Sequence, residues 1–445
     1  MVKFIVNNYK KYIFVFFIVY LLIFTVFYSE TTKPKGDEVH YLIATESIVR
    51  DNDIYLENNY PDGVTSMFGY LKLDKHTVIG RGNHEILGHG LTIFPFIIAP
   101  FYFAAGKLGA SLFFCLITVI LFQQTIKFSE LVTNSHLTSW VVCPGLFLTL
   151  PLSQYSLLLF PEVIAGLLIV YNLCEVITKN KLGILSAILI GLLPWIHFRF
   201  LTVSIFFLLF WFSRQFKKIT KQFFLPLILI FVYFLSIFLI YGSFDFNKTF
   251  MNSGSAYSGN IISNIINLLI DRQYGLIPNN PIFLLVLPGF YFLFRSNKKK
   301  ALLIIALIFF EIMPFINSND WHGGFAPPGR YLTAVVPIII PLIVLSITKS
   351  RYFLTKTIFL LGFMWGYFVY IINLLQSPNY GYLYKDGFTP YLNKISIWSN
   401  LYFYYLFPSY FPDGKITVLH WIWICTILII SYLVFKKGGK VKTKA

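Results

Sequence analysis

The chain has 445 residues, 57% of them hydrophobic and only 12% charged, with a formal net charge of +17. That apolar content exceeds what a soluble globular domain needs. The positive charge falls in short clusters between apolar runs rather than along a basic stripe, which argues against nucleic acid as a partner.

The first apolar run, Tyr12 to Tyr28, follows Lys3, Lys10 and Lys11. Flanking lysines hold the N-terminus in the cytoplasm. The run is long for a signal peptide, and Phe27-Tyr28-Ser29-Glu30 is a poor cleavage site, so residues 1–28 read as a retained anchor. A loop over 29–108 follows on the extracytoplasmic face, far longer than ordinary connections. The chain's acids concentrate there: Asp37, Glu38, Glu46, Asp51, Asp53, Glu57, Asp62, Asp74 and Glu85. Val39, Leu42, Ile43 and Val49 share one face at helical spacing, which predicts an amphipathic helix lying on the membrane surface. Asn58-Asn59-Tyr60-Pro61-Asp62-Gly63 has turn chemistry and ends it.

The apolar segment His89–Gly106 poses a counting problem. As a full span it would put a basic link outside and make the total thirteen. Pro95 and Pro100 interrupt its helical hydrogen bonding. A re-entrant or interfacial segment leaves every basic cluster inside, and that reading is preferred. Further spans are expected near 109–127, 138–153, 155–177, 182–197, 199–213, 223–242, 281–296, 301–316, 331–348, 353–375 and 416–435. The basic links between them contain Arg214, Lys217, Lys218 and Lys221; Arg295, Lys298, Lys299 and Lys300; and Lys349, Arg351 and Lys356. The expected fold is an all-α polytopic membrane protein of about twelve spans. Both termini, including the basic tail 436–445, lie inside. Outer loops are expected at 243–280, 317–330 and 376–415. No internal repeat is evident. Cys115, Cys143, Cys174 and Cys425 lie apart in apolar runs, without metal or redox spacing.

The chemistry-bearing residues fall in the predicted outer segments. Gly36-Asp37-Glu38-Val39-His40-Tyr41 sets two carboxylates just beyond a membrane helix. Asp at a helix start is commonly a cap, but capping needs one acid, not a pair. A carboxylate fixed at an interface can serve as general base on a hydroxyl arriving from water. Arg81-Gly82-Asn83-His84-Glu85, then His89-Gly90, is basic and glycine-bearing, as a phosphate-binding loop would be. The two histidines are five apart rather than the four of a helical zinc motif, so no metal ligands are assigned. No cofactor is required by the pattern, and a divalent metal stays open. Arg199 in Trp195-Ile196-His197-Phe198-Arg199, Arg272 in Asp271-Arg272-Gln273-Tyr274-Gly275, and Arg330 in Gly329-Arg330-Tyr331-Leu332 add guanidinium groups suited to phosphate oxygens. Snorkelling is the plain alternative for Arg199. Glu162 and Glu311 near helix ends would either balance those arginines or bind sugar.

This pattern resembles the GT-C superfamily of polyprenyl-phosphate-dependent glycosyltransferases, in the bacterial branch of protein O-mannosyltransferases and aminoarabinose transferases. The resemblance rests on Gly36 to Tyr41, on Leu152-Ser153-Gln154-Tyr155 leading to Pro161-Glu162, on Asp271 to Leu276, and on Pro328 to Leu332. It covers about 35–335. Relatives often carry His-Gly-Pro-Gly or Lys-Pro-Pro where this chain has His89-Gly90-Leu91-Thr92. The resemblance implies a sugar donor on a polyprenyl phosphate, membrane lipid as surroundings and an acceptor of unknown kind: glycan, lipid or protein. It implies inverting transfer at the outer face of the cell membrane. Asp37 would take the acceptor proton, and Glu38 would orient it or raise its pKa. His40, Arg81, His84, His89, Glu162, Arg199, Arg272 and Arg330 would bind the lipid phosphate or sugar. A transporter or flippase of lipid-linked sugar is the rival class.

Overall fold

The structure is a computed structural model that describes residues 2–60, 73–216, 220–244, 249, 259–324, 326–350, 353–375, 387, 389–399, 403–411 and 413–436. Parts of the predicted loops 243–280 and 376–415, the turn residues Pro61 to Gly63 and the lysines beyond 436 lie outside these. The elements in chain order are α1 (Val2–Thr31), α2 (Glu38–Glu46), β1 (Thr77–Ile79), β2 (Glu85–Leu87), α3 (Phe94–Thr133), α4 (His136–Phe147), α5 (Leu152–Tyr155), α6 (Pro161–Thr178), α7 (Ile184–Ile196), α8 (Leu201–Gln215), α9 (Phe224–Tyr241), α10 (Ile261–Ile270), α11 (Leu276–Asn279), α12 (Val286–Ser296), α13 (Lys298–Ile316), α14 (Val336–Lys349), α15 (Phe353–Leu375), α16 (Pro390–Ser399) and α17 (Val418–Lys436). Among the described residues, six helical segments are long and apolar enough to cross a membrane, and shorter apolar helices pack between them. The chain is a helical, multi-span membrane protein. Phe16, Ile23, Phe231, Leu360, Leu361 and Ile422 are exposed on the outside of the bundle, where only lipid would accept them.

The helix ends sort into two groups. At one end Lys10 and His136 approach Glu130 at 3.8 and 3.0 Å. There Lys300 Nζ donates to Leu131 O at 2.7 Å, and Arg214 Nη1 donates to Val176 O at 2.8 Å. The basic links 214, 298–300 and 349 therefore share the end formed by the C-termini of α3, α6, α8, α12, α14 and α17. At the opposite end the described stretches 32–60 and 73–93 lie over the bundle. Thr92 Oγ1 donates to Ile196 O at 2.7 Å, and Tyr241 OH donates to Leu87 O at 3.3 Å.

Three local features shape the end that carries the first loop. The helix predicted to lie on a surface, α2, is buried along all nine residues, polar ones included. It is packed between α3 and the rest of the loop, with Glu46 paired to Arg50 rather than to water. Secondly, Thr77–Ile79 and Glu85–Leu87 form an antiparallel hairpin with Thr77 opposite Leu87, a small sheet in an otherwise helical protein. Thirdly, α3 breaks at Ala105 and Gly106, whose φ values are −152° and 56°. The arm 94–104 turns back there and runs beside 107–117. Phe101 stacks on Phe113 at 4.1 Å, and Phe94 meets Phe114 edge-on at 5.6 Å. Eleven residues rise about 16 Å, roughly half a hydrocarbon core, so the arm is too short to be a separate crossing. Between α4 and α6 the apolar run gives way to irregular backbone around Pro151, and Pro161 at the first turn starts α6. The helical boundary thus falls later than the expected 155.

Candidate functional site

The site is built where α1 ends. Gly36 has φ 56°, a left-handed conformation that suits glycine, and it turns the chain from α1 into α2. Asp37 is the N-cap residue of α2 by position, yet its side chain caps nothing. Oδ2 instead lies 2.6 Å from Arg330 Nη2. Arg330 also donates from Nε to Glu162 Oε1 at 3.0 Å and from Nη1 to Gly323 O at 2.9 Å. Glu162 Oε1 in turn lies 2.8 Å from Arg199 Nη2. The result is a buried chain of alternating charge, Asp37–Arg330–Glu162–Arg199, contributed by the α1–α2 junction, the approach to α14, the first turn of α6 and the α7–α8 link.

Aromatic rings wall this chain. Arg330 lies 4.6 Å from the Phe160 ring centroid, and Arg199 lies 4.6 Å from Tyr331 and 4.7 Å from Phe200. Nε and Nη1 of Arg199 are buried without a hydrogen-bond partner among the described residues, as are both carboxylate oxygens of Glu311. A buried guanidinium with unused donors is an anion-binding group in waiting, because leaving such donors unsatisfied is costly.

Three imidazoles adjoin Asp37. The hairpin brings His76, just before β1, beside His89, just after β2, with His76 Nδ1 3.2 Å from His89 Nε2. His40, one helical turn after Asp37, stacks on His76 with centroids 3.7 Å apart, and its Nδ1 is 2.8 Å from Tyr60 OH. Burial pulls the His89 pKa down to about 4 and that of His40 to about 2; it also lowers His76. For Asp37, burial works upward, but the Arg330 guanidinium outweighs it and holds the carboxyl well below the usual range. At neutral pH the site therefore holds neutral imidazoles around a carboxylate anion. Asp37, His76 and His89 each offer one ligand atom, all within 4.8 Å of one another.

Several expected site residues lie elsewhere. Glu38 does not face Asp37. It is buried and accepts from Tyr28 OH at 3.0 Å, Lys35 N at 3.0 Å and Leu159 N at 3.4 Å. Consecutive helical residues point about 100° apart, so this pair diverges, and Glu38 ties α2 to α1 and to the segment before α6. The expected rise in the Asp37 pKa from a carboxylate neighbour is not found; the shift has the opposite sign. His84 pairs with Glu57 at 2.9 Å and stacks on Tyr55 at 3.9 Å, at an exposed edge. Arg81 is exposed at the hairpin turn. Arg272 sits against Gly387, and its N–H donates to Pro408 O at 2.7 Å. Asp37, His40, His89, Glu162, Arg199 and Arg330 come together. His76 is the member that sequence reasoning missed. The available signal was the β-branched run Thr77-Val78-Ile79 and the apolar pair Ile86-Leu87 on either side of Gly80-Arg81-Gly82-Asn83, a hairpin pattern.

Beside the imidazoles an apolar cavity of about 80 Å³ is lined by residues including Ala44, Ile86, Leu91, Pro95, Phe96 and Tyr241. It opens between the hairpin, the 94–104 arm and the end of α9.

No family model matches the chain, and no curated protein matches it. Among solved structures, the chain is similar to ArnT from Cupriavidus metallidurans bound to undecaprenyl phosphate, with a TM-score of 0.54 at 12% identity. The match covers 78% of this chain and 62% of that one. The chain therefore has an ArnT-like fold and spans less than two thirds of the length of the structure it resembles.

Proposed function

We propose that the protein is an inverting glycosyltransferase of GT-C type. It moves a sugar from a polyprenyl phosphate to an acceptor hydroxyl at the outer face of the cytoplasmic membrane. In this reading the bundle crosses the membrane twelve times, the basic end faces the cytoplasm by the positive-inside rule, and the Asp37 end faces out. The observation that carries the reading is the Asp37–Arg330 pair at 2.6 Å: a carboxylate and a phosphate-binding group share one contact. The ArnT-like fold supports it, since the solved structure holds undecaprenyl phosphate.

The geometry suggests an order of events. While Arg330 holds Asp37, the carboxylate is ionised but a weak base. A donor phosphate drawn to Arg330 and to the unused donors of Arg199 competes for that guanidinium. As Arg330 shifts toward phosphate, Asp37 regains basicity when an acceptor hydroxyl needs it. The hydroxyl oxygen attacks the anomeric carbon opposite the departing phosphate, whose charge the two arginines stabilise. The apolar cavity beside His89 is placed to take the lipid portion nearest the phosphate.

The test is Asp37→Asn in a purified transfer assay with a polyprenyl-phosphate sugar, paired with mass spectrometry of envelope glycans in cells lacking the protein. Loss of transfer with a folded variant supports the reading. Full activity in that variant refutes the mechanism, and an unchanged glycan profile in the deletion refutes the function.

A further inference from the structure

We propose that Asp37, His76 and His89 bind one divalent first-row transition ion, with Zn²⁺ the preferred occupant. Three observations support this. First, the three ligand atoms lie within 4.8 Å of one another on half-buried side chains. Second, the two imidazole nitrogens are 3.2 Å apart. Zn–N bonds of about 2.0–2.1 Å in a tetrahedron give an edge of about 3.3–3.4 Å, so the histidines already stand at ligand spacing. Third, the ligands are braced from behind. Arg330 fixes one oxygen of Asp37 and leaves the carboxylate its other oxygen. His40 lies flat against His76 and is itself held by Tyr60. Such outer contacts orient ligands in metal sites.

The donor set selects the ion. Two nitrogens and one oxygen suit zinc and its neighbours, whereas magnesium and calcium prefer oxygen ligands. Three protein ligands leave one coordination position open, as in catalytic rather than structural zinc sites. Asp37 keeps about a fifth of its side-chain surface accessible, so an ion has a route in. The competing account is a metal-free network in which His76 and His89 share one hydrogen bond. That account explains the 3.2 Å contact but not the convergence of a carboxylate on the same point.

The proposal shares Asp37 with the glycosyltransferase reading but is tested apart from it, because it is read with the metal alone. Full-length, untagged protein in detergent is stripped with a chelator and titrated with Zn²⁺, followed by calorimetry and by elemental analysis. One ion per chain is expected. His76→Ala and His89→Ala should each weaken binding by at least about 100-fold, and His136→Ala, at the opposite end beside Glu130, should bind as the unaltered protein does. Absence of stoichiometric zinc on the unaltered chain, or unchanged affinity in both variants, overturns the site. If the variants fail to fold, Co²⁺ added to the unaltered protein decides: strong visible bands of a low-coordinate ion support the site, and their absence overturns it. Transfer without stoichiometric zinc overturns this proposal alone. Zinc binding without transfer overturns the transferase reading alone.

Discussion

The two ends of the bundle use charge in opposite ways. At the basic end, lysines and arginines meet backbone carbonyls or acids such as Glu130 and Glu175, whose partners Lys10, His136 and Lys179 are about half exposed. Pairs of that kind are screened by water and contribute little. At the other end, Arg199, Arg330 and Glu162 are almost wholly buried and joined to Asp37 in one chain. Removing charges from water is costly unless they compensate one another. In the proposed reading, the basic end carries charge that sets orientation, and the other end carries it in a form that a ligand can rearrange.

The contrast can be broken at several points, taken from the largest effect downward. Asp37→Asn should reduce transfer by about 10²–10⁴-fold, because the base is lost while Arg330 keeps Glu162 and Gly323 as partners. A transfer assay on the folded variant measures it. Glu162→Gln should be costly to stability, by about 3–5 kcal/mol, since Arg199 and Arg330 lose the anion they share. Thermal unfolding in detergent reads this, and an unchanged melting temperature would mean the buried chain is not compensated as described. Glu38→Ala should cost about 1–3 kcal/mol by removing the acceptor of two buried hydrogen bonds, from Tyr28 OH and Leu159 N, and of a part-buried one from Lys35 N, with transfer per folded molecule retained. A selective loss of turnover would instead return Glu38 to the catalytic group.

Smaller is the expected pH response of chelator-treated protein. The folded-state pKa values of His89 and His40 lie below the ordinary value of about 6.5, so the fold binds fewer protons than the unfolded chain. Their contribution is complete above about 6.5 and is lost as pH falls toward about 4. The melting temperature should decline across that window, less steeply in His89→Gln. The last test involves no energy at all. In a background with Cys425 replaced by Ser, Lys75→Cys should react with a membrane-impermeant thiol reagent on intact cells, and Lys179→Cys should not. The reverse pattern would invert the orientation proposed for the two ends.

Much of this was legible in the sequence because it is one-dimensional. Apolar runs of crossing length and the basic links between them are local signals, and Asp37, Glu162, Arg199 and Arg330 stand out as charges at the margins of apolar segments. What was hidden depends on direction and on pairing. Adjacent carboxylates look like a working pair on paper, but helical geometry sends Glu38 toward Tyr28 and Leu159. His76 is marked only indirectly, through the hairpin pattern around Gly80-Arg81-Gly82-Asn83, since its meaning comes from the pairing that sets it beside a histidine thirteen positions away. Burial of α2 on all sides was masked by its alternating polarity, because its polar residues find partners inside the protein.

The end of α1 acts as a ruler. Lys107 Nζ donates to Thr32 O at 2.6 Å and lies 4.8 Å from the Tyr28 ring centroid, while Tyr28 OH reaches Glu38. Asp37 is thus locked to the last turn of α1 by three connected contacts. Inserting one residue before Tyr28 would lift that turn by about 1.5 Å and rotate it by about 100°. The length of the first helix therefore sets the height and bearing of Asp37 relative to the bundle, and drift in that length would move Asp37 away from Arg330.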